Sequence, residues 1–238
     1  MKLLINNLTK KFDDKIVLNS ASCTFEKGKI YGLLGRNGAG KTTLFNCISK
    51  QMSIDNGKIC LDREENSINY DYSSDDIGFV YTHPVLPDFM TGYEFVKFFI
   101  DINKAKIKKI KSVDEYLNFM QIDEKDRYKL IKEYSEGMKN KLQMLIFLIL
   151  EPSVILLDEP LSSFDVVISL EIKNLIKEIK KDHIIILSTH ILELAKDMCD
   201  SIVILNDGKL ELLADEKLKS KDFENNIIEI LKEKTENA

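Results

Sequence analysis

"GRNGAGKT", residues 35–42, decides how the rest of this chain is read. It fits the pattern G-x-x-x-x-G-K-[ST] and stands where that pattern has to stand. The run "KIYGLL" at 29–34 leads into it as a strand, and "TLFNCIS" at 43–49 leads out of it as a helix. Gly35, Gly38 and Gly40 carry no Cβ, so the backbone can curl with its N–H groups pointing inward. The following helix adds the positive end of its dipole. Lys41 is placed to reach β- and γ-phosphates, and Thr42 to offer a hydroxyl to Mg²⁺. The residues expected to cradle phosphate are Gly35, Asn37, Gly38, Ala39, Gly40, Lys41, Thr42 and Thr43. The competing reading, a plain glycine-rich turn, does not explain the strand before and the helix after.

Working outward, two more apolar runs end in polar groups. "VILLDEP" at 154–160 places Asp158 at the end of a buried strand, where a carboxylate can hold Mg²⁺ directly or through water. Glu159 follows and is the candidate to polarise an attacking water. "IIILSTH" at 184–190 ends in His190, at the carboxyl end of a strand where γ-phosphate chemistry takes place in P-loop proteins. His183 has no such placement and reads as a solvated turn residue.

Continuously apolar runs at 154, 184 and 201 suit strands buried on both faces. Helical spacing lies between them, in Ile172, Leu175, Ile176 and Ile179, in Phe95, Phe98, Phe99 and Ile102, and in Val113, Tyr116, Leu117 and Met120. The expected fold class is α/β, a P-loop NTPase core with a mostly parallel sheet. Residues 3–35 and 57–62 read as strands with no long helices between them, giving an antiparallel flank. From Pro84 to about Gly137 the pattern is helical. The chain therefore reads as one domain over 1–238, with 1–84 and 138–238 as core and 85–137 as an inserted helical lobe. The run "KAKIKKIK" at 104–111 reads as a solvated helix face.

Composition narrows the function classes. With 34 basic against 39 acidic residues and a net charge of −5, the chain lacks the basic excess of a nucleic-acid binder. Cys23, Cys47, Cys60 and Cys199 fit no zinc spacing and read as buried thiols of a reducing compartment. No apolar run reaches the ~18–20 residues that span a bilayer. The start is too broken by Asn and Lys for a signal peptide. The expected location is cytoplasmic, with any membrane role supplied by a partner.

With these elements placed, nearly the whole chain resembles the ATP-binding subunit of an ABC transporter. "GRNGAGKTT" resembles the family's Walker A and "VILLDEP" its Walker B with catalytic glutamate. "SSFD" at 162–165 resembles the D-loop, through Ser162 and Asp165, and "STH" resembles the H-switch. Phe12 stands where the family keeps an adenine-stacking aromatic. "YSEGM" at 134–138 falls at the signature. The resemblance implies that Ser135 and Gly137 act on ATP held by a second subunit, in a head-to-tail dimer, with ATP and Mg²⁺ as cofactors. It also implies a membrane-spanning partner subunit and a peripheral place on the cytoplasmic face of the cell membrane.

Two departures stand out. Thr82 occupies the Q-loop glutamine position with His83 beside it, so metal contact there rests on a shorter side chain. Glu136 and Met138 replace the signature's Gly and Gln, and Glu136 is expected to face outward. The relaxed signature resembles the drug- and peptide-export branch, which implies export of a drug, peptide or bacteriocin-like substrate. The alternative is a soluble ABC ATPase without transport, for example of the cluster-assembly type.

Overall fold

The computed structural model describes residues 1–63, 71–160, 166–213 and the positions 223, 225 and 227. Strands β1 (Lys2–Phe12), β2 (Lys15–Glu26), β3 (Ile30–Leu34), β4 (Asn56–Asp62), β5 (Ile77–Val80), β6 (Val154–Asp158), β7 (Ile184–Ser188), β8 (Ser201–Asn206) and β9 (Lys209–Leu212) form two sheets. The larger has the order β5-β6-β7-β3-β8-β9, with every pairing parallel except β8–β9. Its central strands β3, β6 and β7 are buried at every position, as their uninterrupted apolar runs require. The smaller sheet, β2-β1-β4, is antiparallel and forms the expected flank.

The helices are α1 (Lys41–Ile48), α2 (Gly92–Asn103), α3 (Val113–Phe119), α4 (Glu124–Arg127), α5 (Glu136–Leu150), α6 (Val166–Ile179) and α7 (Leu192–Met198). Helix α1 starts at Lys41, two residues before the sequence-based boundary, directly after Gly40. That glycine has φ of 105°, which a side chain would resist. Capping boxes open α2 (Thr91 with Glu94) and α3 (Ser112 with Glu115), satisfying donors that the helices leave free. Among the described residues, no helix is long and apolar enough to cross a membrane. The four cysteines are unpaired, and burial pushes the thiols of Cys23 and Cys47 up to about 11 and that of Cys199 to about 12.

The structure corrects three readings and adds one strand. Helix α2 buries Gly92, Val96 and Ile100, while Phe98 and Ile102 point to solvent and Phe95 and Phe99 are half-buried. Glu94, Lys97 and Asp101 share one exposed face, but the apolar arc beyond them is wider than the face that is buried, so the sequence alone does not select Val96 and Ile100. The Lys-rich run is not helical: α2 stops at Asn103, whose side-chain amide donates to the Phe99 carbonyl at 2.9 Å. Ile107 then anchors the connector in the lobe's core. Strand β9 was not expected, although "NDG" at 206–208 is the two-residue hairpin signal, with positive φ at Asp207 and Gly208. His183 is not solvated. It is 7% exposed and its Nδ1 lies 2.6 Å from the Pro152 carbonyl.

Burial lowers the His183 pKa below its ordinary 6.5. As pH falls below about 6.5, the unfolded chain takes up the proton first, so the contribution of His183 is complete above that pH and is lost below it. The urea midpoint is expected to fall between pH 7.5 and 5.5 (about two units spanning the histidine range), and His183→Gln should shrink that fall. An unchanged pH slope in the variant would show that this ring does not contribute.

Phe223 and Ile227 are buried with Leu34, Ile202 and Ile204, so these two side chains pack on the core. Ile228, Ile230 and Leu231 lie outside the described residues, as do Ser162 and Asp165.

Candidate phosphate site

The parallel sheet brings the segments after β3 and β5 and the end of β6 to one hollow of about 330 Å³. It is lined by Val17, Asn37, Gly38, Gly40, Lys41, Thr42, Thr43, Thr82, Asp158 and Glu159. A larger concavity of about 550 Å³, beside Lys50 and Tyr72, lies on the flank formed by β4 and is lined by none of Lys41, Thr42, Asp158 and Glu159. Chemistry rather than size therefore identifies the site.

Lys41 is 8% exposed. Its ammonium donates to the Gly35 carbonyl at 2.8 Å and the Arg36 carbonyl at 3.4 Å. Two of its three N–H donors are thus engaged and one remains for a ligand. Burying a cation without a counter-charge is costly, so an anion in the loop relieves the arrangement.

Thr42 Oγ1 donates to Asp158 Oδ2 at 3.0 Å, which brings the two expected metal-side groups together across 116 residues. The other Asp158 oxygen accepts from Ser188 Oγ at 2.6 Å. Ser188 Oγ in turn accepts from the Glu159 amide at 3.0 Å. This fully buried hydroxyl orients both carboxylate residues, and the sequence reading missed it. The signal was present in "LSTH", where a serine closes a strand next to the one ending in Asp158, but the pairing Asp158↔Ser188 exists only in the sheet.

Glu159 has φ of 50°, a left-handed conformation unusual for a non-glycine residue, and its carboxylate reaches His190 Nδ1 at 3.0 Å. Such backbone strain, about 1–3 kcal/mol, is often held at functional positions. Thr82 also reaches this corner: its Oγ1 donates to the Asp158 carbonyl at 3.0 Å. The oxygen donors Thr42 and Asp158 suit a hard cation, with phosphate oxygens and water completing the shell.

Val17 also went unpredicted. A Cβ at Gly40 would press against Val17 Cγ1 at 2.7 Å, so β2 supports the loop from below. Phe12 lies at the exposed end of β1, with the Lys10 ammonium 5.5 Å from its ring centre. It lines neither this hollow nor the neighbouring one of about 430 Å³ beside Lys15–Val17 and Arg36–Ala39.

Ser135 caps α5, its Oγ accepting from the Met138 amide at 3.2 Å. Ser135 and Glu136 are exposed and Gly137 is buried. None of the three lines the hollow that holds Lys41 and Asp158.

The family described as ABC transporter matches residues 18–162. An uncharacterized ABC transporter ATP-binding protein of Methanocaldococcus jannaschii is 36% identical over 216 residues, 87% of this chain and 75% of the relative. The sulfate/thiosulfate import ATP-binding protein CysA of Pectobacterium atrosepticum is 32% identical over 219 residues, 89% of this chain and 66% of the relative. A solved ATP-binding subunit of an ABC transporter superposes with a TM-score of 0.80 at 23% identity, covering 98% of this chain and 100% of the other.

Proposed function

The chain belongs to the ABC transporter family and is an ATPase, and from that premise we propose that it powers a separate membrane-spanning partner. The observation that carries this reading is the convergence of Lys41, Thr42, Asp158 and Glu159 on one hollow, with Ser188 and His190 orienting the carboxylates.

In the proposed cycle the loop amides and the remaining Lys41 donor bind the phosphates of ATP. Thr42 and Asp158 would hold Mg²⁺, which when bound neutralises phosphate charge. Glu159 orients and polarises the attacking water, and His190 holds the Glu159 carboxylate in place. Phe12 is the proposed stacking partner of the base. Ser135 and Gly137 complete the site of a second ATP-binding subunit.

The partner is proposed to meet the lobe at 85–137. Val85 and Phe89, on the loop after β5, are 80% and 81% exposed. Phe98 and Ile102 add to the apolar surface of this lobe. Such exposed side chains are what a partner would cover. Docking there would hold the chain on the cytoplasmic face of the membrane.

The export branch expected from the relaxed signature gains no support from the relatives reported above, since the one whose name states a direction is an importer. We therefore favour import. Reconstituting the chain with its membrane partner in vesicles, and following ATP-dependent cargo movement into or out of them, tests both the coupling and its direction.

Thr82 gives a narrower test. Its hydroxyl proton is committed to a backbone carbonyl, and one neutral hydrogen bond is worth about 0.5–1.5 kcal/mol, so Thr82→Ala should change kcat by less than about tenfold. Loss of Mg²⁺-dependent hydrolysis in a folded Thr82→Ala protein would instead assign Thr82 to the metal.

A further inference from the structure

Tyr134, directly before Ser135, is 5% exposed, yet its hydroxyl oxygen has no hydrogen-bond partner. It sits over the first residue of α2. A Cβ at Gly92 would overlap this hydroxyl and approach ring carbon Cζ to 2.8 Å, so the contact requires glycine. The Gly92 backbone amide, at the start of α2, pulls the phenol's pKa down. Burial outweighs that pull and pushes the phenol up to about 12.

The backbone around this contact is tied on both sides. Thr91 bridges Leu130 in antiparallel fashion. The Ile131 amide donates to the Met90 carbonyl at 2.9 Å, and the Lys132 amide to the Asp88 carbonyl at 3.4 Å. The loop that exposes Val85 and Phe89 is thereby joined to the segment that ends at Ser135.

We propose that Tyr134 is a positioning residue whose ring, seated on Gly92, fixes Ser135 relative to α2 and to the exposed loop at 85–91. The inference rests on the reading of Ser135 as a group acting across a dimer.

The test uses the full chain carrying Glu159→Gln, in which hydrolysis is blocked and a closed dimer accumulates. Light scattering gives the ATP concentration for half-maximal dimer formation. ATP affinity is measured separately, at protein concentrations too low for association. Tyr134→Leu and Gly92→Ala should each raise the ATP requirement about tenfold, as a small misplacement of a contact group does, with monomer affinity unchanged. The double variant should lie closer to the parent than either single change, because the new methyl at 92 fills space that the ring vacates. A role in folding alone would lower monomer ATP binding as well.

Equal ATP requirements in all variants would overturn the inference, as would a double variant worse than both singles. If Gly92→Ala does not fold, Tyr134→Leu decides the matter against Tyr134→Phe, which keeps the ring: the Leu variant must need more ATP, and equality overturns the proposal. A parent that fails to dimerise with ATP removes the dimer reading and this inference together. A parent that dimerises alongside unaffected variants removes this inference only.

Discussion

Glu159→Gln is expected to bind Mg-ATP as tightly as the parent chain and to hydrolyse it at least ~100-fold more slowly. In the proposed cycle binding rests on the loop amides and on Lys41, which the substitution leaves untouched, and hydrolysis on Glu159. Its carboxylate is held at the end of β6 by a left-handed backbone and by His190. The side-chain amide that replaces this carboxylate can still meet His190, so the geometry survives while the charge that polarises water does not. Because ATP is held but not consumed, the variant should accumulate as a closed dimer. Single-turnover hydrolysis measured beside equilibrium ATP binding checks both halves. A rate close to that of the parent in a clean preparation would remove Glu159 from its assigned role.

The site was legible where its signals are local. Lys41 and Thr42 follow from the spacing of three glycines, and Asp158 and Glu159 from an apolar strand that ends in acid. Ser188 and Val17 were not legible, because each acts across a pairing or a packing contact that exists only after the sheets form. The α/β core and its antiparallel flank could be read from short apolar runs rich in β-branched residues, which suit strands, alternating with helical spacing. The burial of His183 was hidden because nothing local shows that the Pro152 carbonyl waits beside it. The phase of α2 was hidden for a different reason: Phe95, Val96, Phe98, Phe99, Ile100 and Ile102 form an apolar arc wider than the buried face, and only the position of its neighbours selects Val96 and Ile100. The "NDG" hairpin before β9 was readable in principle, since its turn chemistry is local.

Neither Ser135→Arg nor Lys41→Ala should turn over ATP alone, yet mixing them should restore part of the activity. Ser135 is exposed at the start of α5, and no residue from 134 to 138 lines the hollow that holds Lys41. A segment so placed serves a site only if another subunit brings the other half. In that arrangement Ser135→Arg puts a bulky cation where a small hydroxyl and a helix N-terminus must approach phosphate. The monomer's own ATP affinity should stay within about twofold of the parent, since independent sites behave additively. Lys41→Ala removes the buried ammonium and weakens phosphate binding from the loop side. Each pure dimer then carries two damaged sites. A mixed dimer carries one site with both lesions and one with neither, so ATPase rate plotted against mixing ratio should peak near equal amounts. Loss of ATP binding by dilute, monomeric Ser135→Arg would place the segment in the same subunit's site and overturn the dimer reading. Lack of rescue with binding intact would mean that one whole site cannot fire beside a broken one. Crosslinked dimers of parent and Lys41→Ala, which also hold one loop-damaged site, would then be equally silent.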